Sequence, residues 1–308
     1  MKKLIPYIAV IMAMLIWAAS GIAVNEALEA FNHLTLIVFR FSIAVIIMLF
    51  IGVIFRKNSV LKLEKLDKKD IPIFLLGGLL QPFLYFIFET YTYDCFSSPT
   101  IAEAMLSTQP ILAPIFAWIL LRERVTSNNI IGIIISTIGM LLLLLTGSSD
   151  FQLGNPCGIL IAFLTVSCSV GYSIILRRIP SRYSALTIVF YVQSISLVLF
   201  YVLWGGAQVL NPSESFQSLK LIDPIELKQA LLSILYLAAG SSVAAFILFC
   251  YAVRYIGVTR ANIFNNIRPV FTALIMLMCF EEQLPLLKWI GIIIIIIGLF
   301  ISQKQRKV

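Results

Sequence analysis

Apolar stretches of bilayer-spanning length alternate with short polar connections along nearly the whole chain. Ten can be marked, at approximately 5–24, 34–55, 71–91, 98–121, 128–146, 156–176, 184–204, 229–250, 257–280 and 286–302, each near the roughly 20 residues that carry a helix across a hydrocarbon core. Numbered spans 1 to 10 in chain order, they predict an all-α integral membrane protein of ten transmembrane helices. The connection after span 4 is short enough to close spans 4 and 5 into a tight hairpin. Most spans are apolar all round, but three carry polar residues at helical spacing. Gln81, Tyr85 and Glu89 follow i, i+4, i+8 in span 3; Glu103, Ser107, Pro110 and Pro114 follow i, i+4, i+7, i+11 in span 4; Asn262, Asn265, Asn266 and Pro269 follow i, i+3, i+4, i+7 in span 9. Each set predicts one face of one helix. An unpartnered amide in lipid costs about 2–7 kcal/mol and a carboxylate more, so these faces are expected to look inward. There they either bond neighbouring helices or line a wet cavity.

The stretch PILAPIFAWILLRE at 110–123 has a counterpart, PVFTALIMLMCFEE, at 269–282. At that one shift of 159 residues Thr100 meets Thr259, Ala102 meets Ala261, Pro110 meets Pro269, Glu123 meets Glu282, Gly132 meets Gly291 and Gly139 meets Gly298. Ungapped matches at a single offset are the trace of an internal duplication. It divides the chain into a first repeat, residues 1–150 with spans 1 to 5, and a second, residues 151–308 with spans 6 to 10. Five is odd, so the second copy starts on the opposite side of the membrane and the two five-helix repeats are inverted. Carriers are often built this way, because one pattern then supplies an outward and an inward gate.

The same shift sets Glu103 against Asn262, Ser107 against Asn266 and Gln109 against Arg268. A proline inside a helix removes one donor and frees the carbonyl four residues earlier, here at Leu106, Pro110 and Asn265. Spans 4 and 9 are therefore expected to bend beside their polar faces, with Pro110 and Pro269 as gating hinges and static kinks as the alternative. Glu123 and Glu282 close these spans just before spans 5 and 10. A carboxylate suits a helix N-terminus, so both are expected to cap those hairpins, away from substrate.

Composition narrows the class. A chain of 308 residues that is 60% hydrophobic and 12% charged has too little polar surface for a water-soluble globule. Its net charge of +8 would suit nucleic acid, but the Lys and Arg residues cluster between apolar runs, so no nucleic-acid partner is expected. With a cytoplasmic N-terminus, seventeen of them fall on the cytoplasmic side and three, Lys220, Lys228 and Lys288, outside, while Arg40, Arg260 and Arg268 lie within spans. The asymmetry predicts a multi-pass protein of the plasma membrane or a cell inner membrane with both termini cytoplasmic. The leading MKKLIPYIAVIMAMLIWAAS also resembles a signal peptide. Residues 156–176 hold the equivalent place in the second repeat, so span 1 is expected to remain.

Other chemistry is sparse. His33 is the single histidine, which excludes a histidine-based metal site, and no phosphate-binding glycine loop or serine-nucleophile motif is present. Neither an enzyme nor ATP drive is expected, and no cofactor. Cys168, Cys250 and Cys279 sit in apolar spans as small packing residues; Cys95 and Cys157 share the predicted outer face, which would allow a disulfide.

The first-span sequence WAASGIAVNEAL beginning at Trp17, Arg40 in span 2, the Pro110-to-Glu123 and Pro269-to-Glu282 helices, and the spaced glycines that follow each resemble the EamA-type carriers of the drug/metabolite transporter superfamily. The resemblance covers nearly the whole chain. It implies a ten-helix bundle with a central cavity between the halves, spans 5 and 10 at the periphery, and export of amino acids or other small metabolites by alternating access. The residues of spans 5 and 10 themselves are almost wholly apolar, interrupted by Gly132, Ser136 and Gly139, or by Gly291 and Gly298. Small residues let backbones approach closely, which points to packing against span 4 or 9, or to a homodimer seam.

Candidate substrate-binding residues are Gln81, Tyr85, Ser107, Asn262 and Asn266 from the polar faces, Trp17, which shares a face with polar residues, and Tyr172, near the repeat position of Trp17. Ordinary packing is the alternative for the aromatics. Arg40, Glu89 and Glu103 fall at one depth by helix rise. Arg40 is expected to pair with one carboxylate while the other exchanges a proton as the outer gate opens, a purely structural ion pair being the alternative. The reading is a secondary transporter, monomer or homodimer, that exports amino acids or related small metabolites. A carrier of phosphorylated sugars or nucleotide-sugars would need several deep cations, for which Arg40, Arg260 and Arg268 are the candidates. A non-transporting receptor or scaffold is the alternative from another class.

Overall fold

The computed structural model describes residues 4–96, 105–145, 156–210, 224–280 and 285–303, and all regular structure among them is helical. In chain order the helices are α1 (Ile5–Leu28), α2 (His33–Ile54), α3 (Ile71–Gly78), α4 (Tyr85–Cys95), α5 (Gln109–Leu121), α6 (Ser127–Leu145), α7 (Pro156–Arg178), α8 (Ala185–Leu210), α9 (Pro224–Tyr236), α10 (Phe246–Ile256), α11 (Val258–Ile263), α12 (Arg268–Phe280) and α13 (Leu286–Gln303). Among the described residues eight helical stretches are long and apolar enough to cross a membrane, and Gln109–Leu121 and Ser127–Leu143 are shorter apolar helices. Local signals set the ends where polar residues stand at them. The Asn32 side chain, for example, accepts the Thr35 N–H at 2.8 Å and starts α2.

Four interruptions shape the spans. Between α3 and α4 the chain makes a widened turn, Leu79–Leu84, in which Gln81 is extended (φ −149°, ψ 122°) and the Gln81–Pro82 peptide is cis. A residue before proline is driven out of the α region, so Gln81 leaves the face that it was expected to share with Tyr85 and Glu89. The repeat-equivalent place holds a second widened turn, Leu237–Ala245, between α9 and α10. It contains no proline; Gly240, Ser241 and Ser242 weaken the helix instead. In span 4 a turn at Ser107 and Thr108 precedes α5, and in span 9 a 3₁₀ turn, Phe264–Ile267, separates α11 from α12. Pro110 and Pro269 thus stand in the first turns of new helices, where a missing N–H leaves nothing unpaired. They do not kink continuous helices, as expected from sequence; the Asn265 carbonyl that Pro269 was expected to free accepts the Arg268 N–H. Pro114 does lie inside α5.

The chain divides into two compact units, each drawn from both repeats. One comprises the described residues of Met1–Ala18, Leu84–Arg178 and Ala252–Val308. Its closest packing joins α6 to α13. A Cβ on Gly132 would lie 2.5 Å from the Gly298 carbonyl oxygen, one on Gly139 2.8 Å from the Gly291 carbonyl oxygen, and one on Gly298 2.5 Å from the Ser136 nitrogen. Residues rising along α6 meet residues falling along α13, so the two helices are antiparallel. The small residues of spans 5 and 10 therefore face each other; this corrects the expectation that they pack on span 4 or 9 or on a second copy. Asn129 Nδ2 donates to the Ser302 carbonyl at 2.6 Å at one end of the seam. Elsewhere in this unit α4 lies along α7, with Gly158 against Cys95 and Phe96 and the Thr92 and Thr165 hydroxyls 3.2 Å apart. Cys95 and Cys157 are free thiols.

The other unit comprises Ala19–Phe83 and Ile179–Tyr251. Ala23, Ala27, Ala30, Phe31 and Leu36 pack on Ala230, Ile234 and Leu237. α2 crosses α8 where the Phe41 and Phe200 rings stack, centroids 5.8 Å apart, and where the Ser42 and Tyr201 hydroxyls meet at 2.9 Å. Both pairs are separated by the repeat offset of 159 residues. α3 touches α8 through Gly78, whose carbonyl accepts from Ser196 Oγ at 2.7 Å. The segment after α2 is strapped to the start of α8 by Glu64, which accepts the Ser184 N–H at 2.5 Å, and by Ser184 and Thr187, which donate to the Lys62 carbonyl.

Candidate transport site

A cluster of buried polar side chains stands at helix interruptions in each unit. In the first unit it is built from α5, α7 and α11. Gln109, the first residue of α5, donates through Nε2 to Ser169 Oγ at 2.8 Å and to Asn262 Oδ1 at 2.7 Å. Asn262 Nδ2 donates to the Val258 carbonyl at 2.9 Å, Asn265 Nδ2 to the Asn262 carbonyl at 3.0 Å, and Asn266 Nδ2 to Ser136 Oγ at 2.8 Å. Asn262 and Asn266 are fully buried and Gln109 is 9% exposed. These groups are neutral, and one is left open: Asn266 Oδ1 has no hydrogen-bond partner among the described residues. An unmet buried acceptor costs about 1–3 kcal/mol, and it is what an N–H or O–H of a small polar ligand, or a water, would satisfy.

The carboxylate of Glu123 holds this arrangement at its edge. It accepts the N–H groups of Val258 at 3.0 Å and Thr259 at 3.2 Å and the Thr259 hydroxyl at 3.1 Å. Gly257 (φ 89°) makes the sharp bend into α11, and a Cβ there would lie 3.0 Å from Glu123 Oε1. Glu123 is thus a helix cap, but of α11 and not of the hairpin to α6; Glu282 lies outside the described residues.

In the second unit the cluster forms at the widened turn Leu237–Ala245. Arg40, 4% exposed, donates through Nε to Ser242 Oγ at 2.6 Å and through Nη2 to Ser241 Oγ at 2.9 Å. Gln193 Nε2 donates to the Ser242 carbonyl at 2.6 Å, while its Oε1 has no hydrogen-bond partner among the described residues. A turn whose own backbone bonds are loosened is held by side chains from α2 and α8.

The other expected site residues are distributed as follows. Tyr85 donates to Glu89 Oε1 at 2.7 Å, so these two do share the α4 face; both are half-buried. Tyr172 is buried and lies three residues along α7 from Ser169, on one face with it. Trp17 is half-buried in α1, Ser107 is half-buried in the turn before Gln109, and Gln81 is buried in the first widened turn. Glu103 lies outside the described residues. Sequence reasoning missed Gln109, Ser169, Ser136, Gln193, Ser241 and Ser242 as members of the clusters. Gln109 carried a signal, a polar residue beside Pro110 at the repeat position of Arg268; the serines, common and small, carried none.

Apolar helices of spanning length, interrupted beside buried amides and a buried guanidinium, define a multi-pass helical membrane protein with polar clusters at its helix breaks. The profile of the EamA-like transporter family matches residues 4–145 and again 156–303, so the chain belongs to that family of membrane transporters. It is 23% identical over 309 residues to the uncharacterized transporter YetK of Bacillus subtilis (strain 168), covering 99% of this chain and 89% of that protein. It is 26% identical over 271 residues to the uncharacterized transporter YyaM of the same organism, covering 84% and 80%. An uncharacterized transporter of Archaeoglobus fulgidus is 23% identical over 312 residues, covering 99% and 100%. A solved crystal structure of a protein 17% identical to the chain superposes with a TM-score of 0.77 over 96% of this chain and 97% of that one, which shows a shared fold.

Proposed function

We propose that the chain is a secondary carrier of the cell membrane that exports amino acids or related small metabolites by alternating access. It is built from two inverted five-helix repeats, residues 1–150 and 151–308, with ten membrane helices and both termini cytoplasmic. The observation that carries this reading is contact between repeat-equivalent positions: Phe41 on Phe200, Ser42 on Tyr201, and the antiparallel meeting of Gly132 with Gly298 and Gly139 with Gly291. Exchange of the two repeats maps each of these contacts onto itself or onto its mate, as an axis in the membrane plane requires. The chemistry of the Gln109–Ser169–Asn262 cluster favours a neutral or zwitterionic solute, since amides and hydroxyls can meet an ammonium and a carboxylate without deep fixed charge. Asn262, Asn266, Ser107, Tyr172 and Trp17 are the proposed binding residues of the first unit and Gln81 of the second, with Tyr85 beside them in sequence. Arg40, Glu89, Glu103, Pro110 and Pro269 are proposed to gate or couple.

Purified protein in liposomes loaded with a labelled amino-acid mixture should release a subset of it faster than protein-free vesicles. Gln109→Leu should slow that release at least ten-fold, because two buried partners lose their donor. Release of sugar phosphates in place of amino acids would move the assignment to a phosphorylated-sugar carrier. No release of either would make a scaffold the better reading.

A further inference from the structure

The hairpin between α5 and α6 leaves a cleft that contains none of the buried amides of the polar clusters. α6 turns its glycines to α13 and touches α5 only sparsely, so the two helices part. The space between them has a volume of about 1110 Å³, and of its lining residues only Glu123 touches the Gln109 cluster, at its edge. Its walls are apolar and exposed, with Ile115 and Trp118 on α5 and Ile134 and Ile138 on α6. One end reaches Ile111; the other ends at Arg122 and Arg124. Both arginines are exposed, and neither has an ion pair or a side-chain hydrogen bond among the described residues. Glu123, between them, does not neutralise this end by direct pairing, because its carboxylate faces the Val258 and Thr259 amides.

Length and charge select the occupant. From Ile111 to Arg122 the chain rises about 16 Å by helix geometry, about half of a hydrocarbon core of roughly 30 Å. The cleft therefore runs the depth of one leaflet, with cations at the headgroup level. Its volume lies at or above the roughly 300–1,000 Å³ that hold a small molecule, and its walls offer a soluble metabolite almost nothing polar. A second apolar helix would cover Trp118 and leave two guanidinium groups without counter-charge.

We infer that the α5–α6 cleft binds an anionic glycerophospholipid of the leaflet on the Arg122 side, its phosphate held by Arg122 and Arg124 and an acyl chain lying along Ile115, Trp118, Ile134 and Ile138. Planar guanidinium groups suit phosphate oxygens in pairs, and basic residues at the membrane surface select anionic headgroups. The site is independent of what the carrier moves.

The test is native mass spectrometry of the full chain in detergent, titrated with phosphatidylglycerol or with phosphatidylcholine of the same acyl chains. The parent protein should retain phosphatidylglycerol about 25-fold more readily, about five-fold for each arginine. R122Q and R124Q should each reduce that preference about five-fold, and I134W, which fills the cleft and leaves the charge, should weaken both lipids. Millimolar inorganic phosphate should not displace the bound lipid. Equal retention of the two lipids by the parent protein overturns the inference, and that comparison requires no variant to fold. Unchanged preference in the R122Q/R124Q double variant overturns it as well.

Discussion

The α6–α13 seam and the α2–α8 seam each join repeat-equivalent helices, and they do so by opposite means. α6 meets α13 backbone to backbone, with glycines where any side chain would strike a carbonyl or an amide nitrogen. α2 meets α8 through stacked rings at Phe41 and Phe200, a hydroxyl pair at Ser42 and Tyr201, and the Trp204 indole donating to Thr35 Oγ1 at 3.1 Å. The first contact has one solution, because close-packed backbones cannot shift without opening a void. The second has a fully buried ring pair, but its Ser42, Tyr201 and Trp204 side chains are partly exposed and can change rotamer, and it lies beside a widened turn held by Arg40 and Gln193. A duplicated fold has therefore kept the positions of its internal contacts while making them differently, one backbone to backbone, here called the fixed joint, and one through side chains, here called the adjustable joint.

The largest effect should come from breaking the fixed joint. Gly132→Leu or Gly298→Leu places a branched side chain where even a Cβ would lie 2.5 Å from backbone atoms. Neither variant should yield monodisperse protein in detergent. Gly132→Ala should survive, destabilised by about 1–3 kcal/mol in a reversible unfolding measurement. Gly205→Ala in α8, where a Cβ meets nothing within 4 Å, should be neutral or up to about 1 kcal/mol stabilising. If the Gly132 and Gly205 substitutions behave alike, the glycine seam is not what holds α6 to α13.

Arg40→Met comes next. It leaves the Ser241 and Ser242 hydroxyls buried without their donor, and a buried hydrogen bond to a charged group is worth about 1.5–3 kcal/mol. Arg40→Lys should recover little, since an ammonium cannot reproduce two donors fixed in a plane. A double-mutant cycle with Ser242→Ala should give a coupling of about 1.5–3 kcal/mol. A coupling near zero would show that Arg40 stabilises the second unit through other contacts.

Removal of the Gln109 amide should cost less in stability and more in function. Gln109→Leu loses hydrogen bonds to Ser169 and Asn262, about 1–3 kcal/mol together, because Asn262 keeps its bond to the Val258 carbonyl. Gln109→Glu keeps the shape and removes the donor. Both should be recovered folded and both should transport slowly. A variant that transports at the parent rate would leave this cluster a structural pin.

How far these features could be read from sequence depended on whether their cause was local. The periodic apolar runs and the offset of 159 residues were plain, and so were the glycines. Their partners were not, because small residues announce a close approach and say nothing of what approaches. Gln81 carries two conflicting signals: the residue before a proline leaves the α region, whereas the i, i+4, i+8 spacing with Tyr85 and Glu89 favours one continuous face, and the proline effect prevails. Pro110 and Pro269 mark interruptions, but as first-turn residues of new helices and not as bends inside continuous ones. Their place in the first turn depends on Ser107, Thr108 and Phe264–Ile267 unwinding just before them. The turn Leu237–Ala245 has no proline to announce it, and the bonds of Arg40 to Ser241 and Ser242 join residues about 200 apart in the chain. Partner choice over such a distance is decided by packing, which periodicity does not encode.

The smallest expected effect is also the one that most directly tests the adjustable joint. Ser42 Oγ donates to the Val38 carbonyl at 2.6 Å, so its hydroxyl proton is engaged and the 2.9 Å contact is best served by Tyr201 donating to Ser42. Tyr201→Phe then removes a donor and leaves the ring packing intact. Ser42→Ala removes the acceptor and leaves the Tyr201 hydroxyl at a half-exposed site without this partner. Each should cost about 0.5–1.5 kcal/mol, and the double variant little more than either single one, because the two changes remove the same bond. If α2 and α8 slide past each other in the transport cycle, the bond is made in one state only, and both variants should shift the exchange rate by the same factor, at most about ten-fold. A loss of stability as large as that of Gly132→Ala would show this seam to be as unforgiving as the glycine seam, and the contrast between a fixed and an adjustable joint would fail.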